Sequence, residues 1–141
     1  LKLLFADIEI IFRLHPSECF NYELKDIISN QNIALSDNSK SLSEELENCW
    51  AAVSIFSSGL VEAIASHVIP VLVNTTCYKD YPFPIKKLGV GLECRSFDEA
   101  YSELLKLIKN QAYRTYYQEN IDAKYDSIFS NKDDLRSILN T

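Results

Sequence analysis

The chain has 141 residues and a net charge of −6, and it is 47% hydrophobic and 24% charged. These values are typical of one globular domain with a hydrophobic core, and the acidic balance argues against a duplex nucleic-acid binder, which needs a basic face. No apolar run approaches the roughly 20 residues that cross a bilayer, and no signal peptide is visible. The chain contains no methionine and begins at Leu1, so we expect a piece of a longer protein or one trimmed at its start.

The cysteine and histidine pattern predicts neither a metal site nor a catalytic thiol. No Cys-x-x-Cys pair is present, the chain has only two histidines, and no spacing pairs a cysteine with a base. We therefore expect reduced and mostly buried thiols, with no metal and no cofactor. The cysteines are Cys19, Cys49, Cys77 and Cys94.

Apolar runs predict five strands, and apolar residues at helical spacing predict the helices between them. Ser41 begins a capping box with Glu44, Ser96 is the expected N-cap of a later helix, and Ser17 and Glu18 are first-turn candidates for the first helix. In chain order we predict a buried strand at 8–12, a helix at 20–29, a strand at 33–35, a helix from 41, a strand at 51–56, a helix after 59, strands at 69–73 and 91–94, and helices at 97–109, 111–129 and 131–139.

This alternation predicts an α/β fold, a Rossmann-like open parallel sheet of about five strands with helices on both faces. We expect a single domain over 1–141, with its core in 1–110 and additional C-terminal helices in 111–141. The helix that would begin at 41 carries Leu42, Leu46 and Cys49 on one face. A long loop is expected over 74–87.

In such a sheet, ligands bind at the carboxyl ends of the strands. Every one of these ends is followed by polar residues, two of the ends carry a cation, and the set suits a polyanionic ligand. The residues are Arg13 and His15, Ser36 and Asp37, Ser57, Ser58 and Gly59, Asn74, Thr75 and Thr76, and Arg95 and Ser96.

His15 is the sharpest single candidate, because the adjacent Pro16 restricts the backbone that aims its ring. Its imidazole would donate to a phosphate oxygen and offset charge on a leaving group. The alternative is a histidine that caps the next helix or bonds a loop carbonyl. Arg13 is either a phosphate clamp or the ion-pair partner of Glu62.

The turn Ser57-Ser58-Gly59 predicts an anion site at a helix N-terminus, although it has neither a dinucleotide fingerprint nor a P-loop. Glu62 lies in the first turn of that helix, either as an acid favoured by the helix dipole or as an acceptor for a sugar diol. The tyrosines at 113, 116 and 117 are more consistent with a packing face than with a sugar platform.

The segments Phe12-Arg13-Leu14-His15-Pro16 and 57–73 together resemble the C-terminal, donor-binding half of GT-B glycosyltransferases. The matching residues are Ser58-Gly59-Leu60-Val61-Glu62-Ala63 and then Ile69-Pro70-Val71. The resemblance covers about 8–110. It implies that Glu62 binds the ribose hydroxyls and that Ser57, Ser58 and Gly59 bind the donor phosphate; we assign Ser36 to the same nucleoside. His67 stands where many relatives have glycine.

The Arg-x-His-Pro element and the Ser57-Ser58 pair resemble the HP and SS motifs of bacterial sialyltransferases and related capsule enzymes. By this resemblance His15 is the catalytic residue and, with Arg13, contacts the donor phosphate of a CMP-, CDP- or UDP-linked sugar. The implied protein is an inverting transferase of capsule or lipopolysaccharide synthesis, cytoplasmic and at most peripheral to the inner face of a bacterial membrane. Its acceptor is a glycan or glycolipid.

Two alternatives remain open. One is a UDP-sugar 2-epimerase-like domain, and the other is a non-catalytic nucleotide-binding subunit that needs a partner. A GT-B enzyme has a further N-terminal domain that binds the acceptor, and no such domain is visible in this sequence. We therefore expect catalysis to need that domain or a partner subunit.

Overall fold

A computed structural model describes residues 8–19, 21–31, 33–76 and 80–130. The chain divides into two compact units, one within Leu1–Ser41 and one within Leu42–Thr141, and each is described by itself. The division falls inside the segment predicted to form one core. The structure confirms an α/β protein with parallel strands. The strands form two small sheets, of two and three strands, where the sequence predicted about five in one sheet.

The first unit is a single strand–helix–strand crossover. Strand β1 (Ile11–Phe12) pairs in parallel with β2 (Ala34–Leu35), and helix α1 (Tyr22–Gln31) connects them. The prediction of a buried strand over 8–12 is wrong in extent and in burial, because only two residues pair and Ile11 is 42% exposed. A two-residue pairing fixes too little backbone to bury the rest of the apolar run.

Asn21 caps α1, and the two first-turn candidates, Ser17 and Glu18, lie before the helix. The Asn21 side-chain oxygen accepts a hydrogen bond from the backbone N–H of Leu24 at 2.8 Å, which is the geometry of an N-cap. Ser17 and Glu18 instead belong to the turn that follows β1. Phe20, where the sequence placed the start of the helix, lies outside the described residues.

The second unit is built on a parallel sheet of order β3-β4-β5, with register Val53–Val71–Leu92 across the three strands. Its elements in chain order are α2 (Leu42–Leu46), β3 (Ala51–Ser54), α3 (Gly59–Ala65), β4 (Ile69–Val73), α4 (Ile85–Leu88), β5 (Leu92–Cys94), α5 (Phe97–Lys109) and α6 (Gln111–Phe129).

β4 is the centre of this unit, and all five of its residues are buried. A continuous apolar run of this kind is typical of a parallel strand covered on both faces. Helices α3, α5 and α6 pack against it. The predicted bounds of β4, α5 and α6 match the structure, and so does the Ser96 cap, whose hydroxyl accepts from the N–H of Glu99 at 3.1 Å.

Two smaller predictions for this unit are also resolved. Leu42, Leu46 and Cys49 lie in one apolar cluster with Ala63 and Val68, but α2 ends at Leu46, so Cys49 is not on the predicted helix. The predicted loop at 74–87 contains the start of α4. The helix predicted at 131–139 lies outside the described residues.

Helix α6 contributes residues to the hydrophobic core, whereas the sequence analysis placed the core in 1–110 and treated 111–141 as additional helices. Tyr117 and Ile121 are buried in the main hydrophobic cluster, and Tyr113 packs against it, whereas Tyr116 is 54% exposed. Tyr113 and Tyr116 each meet the Tyr117 ring edge-on, at 5.2 and 5.1 Å between centroids. Packing therefore accounts for two of the three tyrosines.

Close contact between β4 and the chain entering β5 depends on Gly91. A Cβ at this position would lie 2.4 Å from the carbonyl oxygen of Pro70 and 2.5 Å from the Pro70 ring. Both distances are far inside van der Waals contact, so only a residue without a side chain fits.

His67 occupies the position where the resemblance to glycosyltransferases implies a glycine. Its φ of 58° is in the left-handed region, which favours glycine for steric reasons. The imidazole Nδ1 lies 2.6 Å from a carboxylate oxygen of Asp122, and the ring stacks on Tyr125 at 4.6 Å. These contacts join the turn before β4 to α6 and offset the backbone strain.

Candidate functional site

The turn between β3 and α3 begins with a sharp change of backbone direction at Phe56, whose φ is 44°. The Ser57 hydroxyl then accepts a hydrogen bond from the N–H of Gly59 at 3.1 Å. The N–H groups of Leu60 and Val61 bond to the carbonyls of Ser57 and Ser58 at 3.2 and 2.9 Å. The turn is thus closed on itself by short-range hydrogen bonds.

This closure changes the prediction of a phosphate cradle. The N–H of Gly59, one of the three residues assigned to the phosphate, already has an acceptor within the turn, and so do the next two N–H groups, those of Leu60 and Val61. Ser58 is exposed, its hydroxyl makes no capping hydrogen bond, and its N–H has no acceptor among the described residues. Of the three residues assigned to the phosphate, Ser58 therefore presents the unpaired donors, whereas Ser57 shapes the turn.

Tyr81, which the sequence analysis did not single out, holds the same turn from outside. Its hydroxyl donates to the Ser57 carbonyl at 2.6 Å, and its ring meets Phe56 edge-on at 6.0 Å between centroids. Burial raises the pKa of Tyr81, so the hydroxyl keeps its proton and remains a donor. A lone tyrosine between an aspartate and a proline carries no sequence signal for this role, because only the tertiary fold brings it to Ser57.

Glu62 is the one charged residue of α3. Its neighbours Leu60, Val61, Ala63 and Ile64 are all buried, whereas Glu62 is exposed in the first turn. Among the described residues its carboxylate has no hydrogen-bond or ion-pair partner. The predicted position in the first turn is confirmed, and both carboxylate oxygens are open to a ligand.

The remaining strand ends of this unit use their polar residues internally. The buried Asn74 side chain accepts from the N–H and the hydroxyl of Thr76 at 3.2 and 2.9 Å. Arg95 pairs with Glu93 at 2.9 Å and with Asp80 at 3.7 Å. Arg95 is therefore neutralised locally, and it is not the free cation that a polyanionic ligand would require.

In the first unit, His15 lies in a tight turn after β1. The N–H of Glu18 donates to the His15 carbonyl at 2.8 Å, and the Glu18 carboxylate accepts from the His15 N–H at 3.1 Å. The N–H of Ser17 donates to the imidazole Nδ1 at 3.2 Å. Because Nδ1 acts as an acceptor, this network assigns the proton of the neutral ring to Nε2.

The alternative considered for His15 is wrong, because Asn21 caps α1 and the described ring contacts are the Ser17 N–H and hydroxyl, not a loop carbonyl. One ring nitrogen is engaged by its own turn, and the other is a donor on an exposed side chain. That is the arrangement by which a protein orients an imidazole toward a ligand.

Arg13 and Ser36 lie at the same edge of the β1–β2 sheet as His15. Arg13 donates to the Lys40 carbonyl at 3.0 Å, so part of its guanidinium holds the chain that follows β2. The Ser36 hydroxyl accepts from the N–H of Asn38 at 3.2 Å. Hydrogen bonds from Ser39 lower the pKa of Asp37, which keeps an anion at this edge.

The candidate residues thus form two groups, one at the carboxyl edge of each sheet. Arg13, His15 and Ser36 belong to the first unit, and Ser57, Ser58, Gly59 and Glu62 belong to the second. Within the described ranges, no group of three or more His, Cys, Asp or Glu side chains is placed to hold a metal ion. None of the helices in the described ranges is both long enough and apolar enough to span a membrane.

The fold and these groups define an α/β protein with parallel strands and polar residues at its strand ends. A scan of protein-family models found no match, and searches of curated proteins and of solved structures found no significant similarity.

Proposed function

We propose that this chain is the donor-binding part of a glycosyltransferase that transfers a sugar from a nucleotide-sugar to a glycan or glycolipid acceptor. One observation carries the proposal. Glu62 is exposed and unpartnered among the described residues, on the first turn of a helix that otherwise faces the core, directly after the turn that ends β3.

A carboxylate in this position suits a ribose. The two oxygens of one carboxylate accept hydrogen bonds from both hydroxyls of a vicinal diol. The position just beyond a parallel strand is where α/β proteins bind nucleotides, and the first-turn location lets the helix dipole stabilise the charge. In this proposal Glu62 binds the ribose, and the unpaired donors of Ser58 meet the adjoining phosphate.

The resemblance assigns His15 and Arg13 to the leaving nucleotide. His15 presents Nε2–H as a donor, and Arg13 adds positive charge at the same strand end. Both groups would stabilise charge on the phosphate as the glycosidic bond breaks. Ser36 would contact the nucleoside.

The proposal includes partners and a place of action. Catalysis would need an N-terminal acceptor-binding domain or a partner subunit, and no metal or cofactor. The product would be a bacterial surface polysaccharide such as capsule or lipopolysaccharide, assembled in the cytoplasm at the inner face of the membrane. Support for these points comes from the resemblance of the His15-Pro16 and Ser57-Ser58 elements to bacterial capsule enzymes.

Calorimetric titration of the chain with CMP, CDP and UDP tests donor binding. We expect at least one of them to bind, and Glu62→Gln to weaken that binding about tenfold, which corresponds to roughly 1.4 kcal/mol, the value of hydrogen bonds to a charged acceptor. Asp98→Asn is the matched control, because Asp98 is an exposed acid in the first turn of α5. Equal loss of binding in both variants would indicate a general effect of net charge and contradict the role of Glu62, and no binding of any nucleotide would refute the proposal.

His15→Ala tests the contribution of the first unit in the same titrations. We expect weaker binding of the nucleoside diphosphate and a smaller effect on the free nucleoside, because the imidazole is assigned to the phosphate. Equal weakening of both ligands would contradict that assignment. Interconversion of two UDP-sugars in place of nucleotide release would favour the epimerase alternative.

A further inference from the structure

A cleft of about 250 Å³ lies at the open edge of β5, and none of the residues assigned to the nucleotide lines it. β5 is the last strand of its sheet within the described residues, and α4 and α5 contact it. The wall on the strand side contains Glu93 and Cys94, α5 supplies Glu99 and Glu103, and α6 supplies three tyrosines. We call this the β5 cleft.

The carboxylates of the β5 cleft are already engaged by neighbouring groups. Of its three carboxylates, Glu93 pairs with Arg95 at 2.9 Å and Glu103 pairs with Lys106 at 2.5 Å. Glu99 accepts from the backbone N–H of Arg95 at 2.6 Å, and Lys86 adds one more cation to the lining. Each of the three carboxylates therefore has a partner, and no group of the described residues is placed to hold a metal ion. A lining of three glutamates and one lysine also disfavours a phosphate as the ligand.

Of the three tyrosines that line the cleft, two are held by hydrogen bonds and one is exposed. The Tyr113 hydroxyl donates to Glu103 at 2.6 Å and lies 3.2 Å from the Tyr117 hydroxyl, so both rings are held in place. Tyr116 rests edge-on against Tyr117 and is 54% exposed. Its own hydroxyl has no hydrogen-bond partner among the described residues. Tyr116 is therefore the ring of the cleft that is accessible to a ligand.

The hydrogen-bonding groups of the cleft that remain unpaired among the described residues include both donors and acceptors. The hydroxyl of Tyr116 both donates and accepts, the ammonium of Lys86 donates and has no ion-pair partner in the described part of the chain, and the second oxygen of Glu93 is an acceptor. A neutral ligand with many hydroxyls and an apolar ring face satisfies such a set. Its hydroxyls pair with acceptors and donors alike, and its C–H face packs on the aromatic ring.

We infer that the β5 cleft binds a neutral monosaccharide unit, with Tyr116 as its stacking platform. A hexose has about 12 non-hydrogen atoms, which at the efficiency of ordinary ligands gives a dissociation constant on the order of 1 mM. This site is separate from the proposed nucleotide site, and it would hold a sugar residue of a glycan whether or not the chain binds a nucleotide.

Amide chemical-shift titration of the full chain tests the inference. The probes are glucose, galactose and N-acetylglucosamine, with glucosamine as a cationic comparison and glucose phosphate as an anionic one. We expect saturable shifts at Gly89, Gly91 and Leu92 with at least one neutral sugar, and weaker binding of both charged sugars. Tyr116→Ala should weaken binding about tenfold or more, and Tyr116→Phe about threefold, because it keeps the ring and loses the hydroxyl.

Phe97→Ala is the control for Tyr116→Ala, since Phe97 is an exposed aromatic residue (66%) outside the cleft. Urea unfolding of each variant shows whether the fold is retained, and Tyr116→Phe keeps the test valid if Tyr116→Ala does not fold. Three results would overturn the inference: no saturation by any neutral sugar at about 100 mM, unchanged affinity in both Tyr116 variants, or tighter binding of a charged sugar.

Discussion

Replacing Tyr81 by phenylalanine removes one hydroxyl and leaves the ring against Phe56. The lost hydrogen bond joins the Tyr81 hydroxyl to the Ser57 carbonyl at 2.6 Å. A neutral hydrogen bond contributes about 1 kcal/mol, and the Ser57 carbonyl keeps the N–H of Leu60 at 3.2 Å as a second donor. We therefore expect Tyr81→Phe to lower the free energy of unfolding by about 0.5–1 kcal/mol.

Urea unfolding measures this loss. With a slope of about 1.5 kcal/mol per molar urea, the midpoint should fall by about 0.5 M. The same variant should bind its preferred nucleotide about two- to fivefold more weakly, because a looser Ser57 turn must be ordered at the moment of binding.

Tyr125→Phe is the matched control for Tyr81→Phe. The Tyr125 hydroxyl donates to the Ala65 carbonyl at 3.1 Å, at the other end of α3 from the Ser57 turn. We expect a comparable loss of stability with unchanged nucleotide affinity. An unchanged midpoint in Tyr81→Phe, or an equal loss of affinity in Tyr125→Phe, would show that Tyr81 does not position this turn.

Three further predictions concern the second unit. Gly91→Ala should lower the free energy of unfolding by roughly 2–4 kcal/mol, because its Cβ would lie 2.4 Å from the Pro70 carbonyl oxygen; a change below about 0.5 kcal/mol in urea would contradict this close approach. At φ 58°, His67→Gly should be about 1 kcal/mol more stable than His67→Ala, and the reverse order would remove the strain argument. Burial raises the pKa of Cys94 to about 11, so a thiol reagent near pH 8 should modify the exposed Cys19 and leave Cys94 intact until urea is added, as peptide mass mapping would show.

Sequence reasoning was most successful where a pattern is local and strong. The continuous apolar run of β4, the amphipathic spacing of α5 after its Ser96 cap, and α6 were all placed within their observed bounds. These elements have strong local signals, and the core then reinforces them. The position of Glu62 in the first turn of α3 was likewise predictable, since it follows from counting residues after the turn.

The same reasoning failed where local and tertiary preferences compete. The apolar run at 8–12 indicated a buried strand, but only two residues pair, and the cap of α1 is Asn21 because Ser17 and Glu18 are committed to the His15 turn. Several polar groups compete for the same few N–H donors near a helix start, and the sequence does not rank them.

The sequence by itself determined an acidic α/β chain with parallel strands, polar residues at each strand end, and the first-turn acid Glu62. The tertiary structure alone decided which of those polar groups remain open. It closed the Ser57 turn on its own N–H groups, neutralised Arg95 with Glu93, brought Tyr81 to the Ser57 carbonyl and built the β5 cleft. The physical reason is that hydrogen bonds and ion pairs between distant residues depend on distance and direction in space, whereas composition and spacing specify only which groups are available.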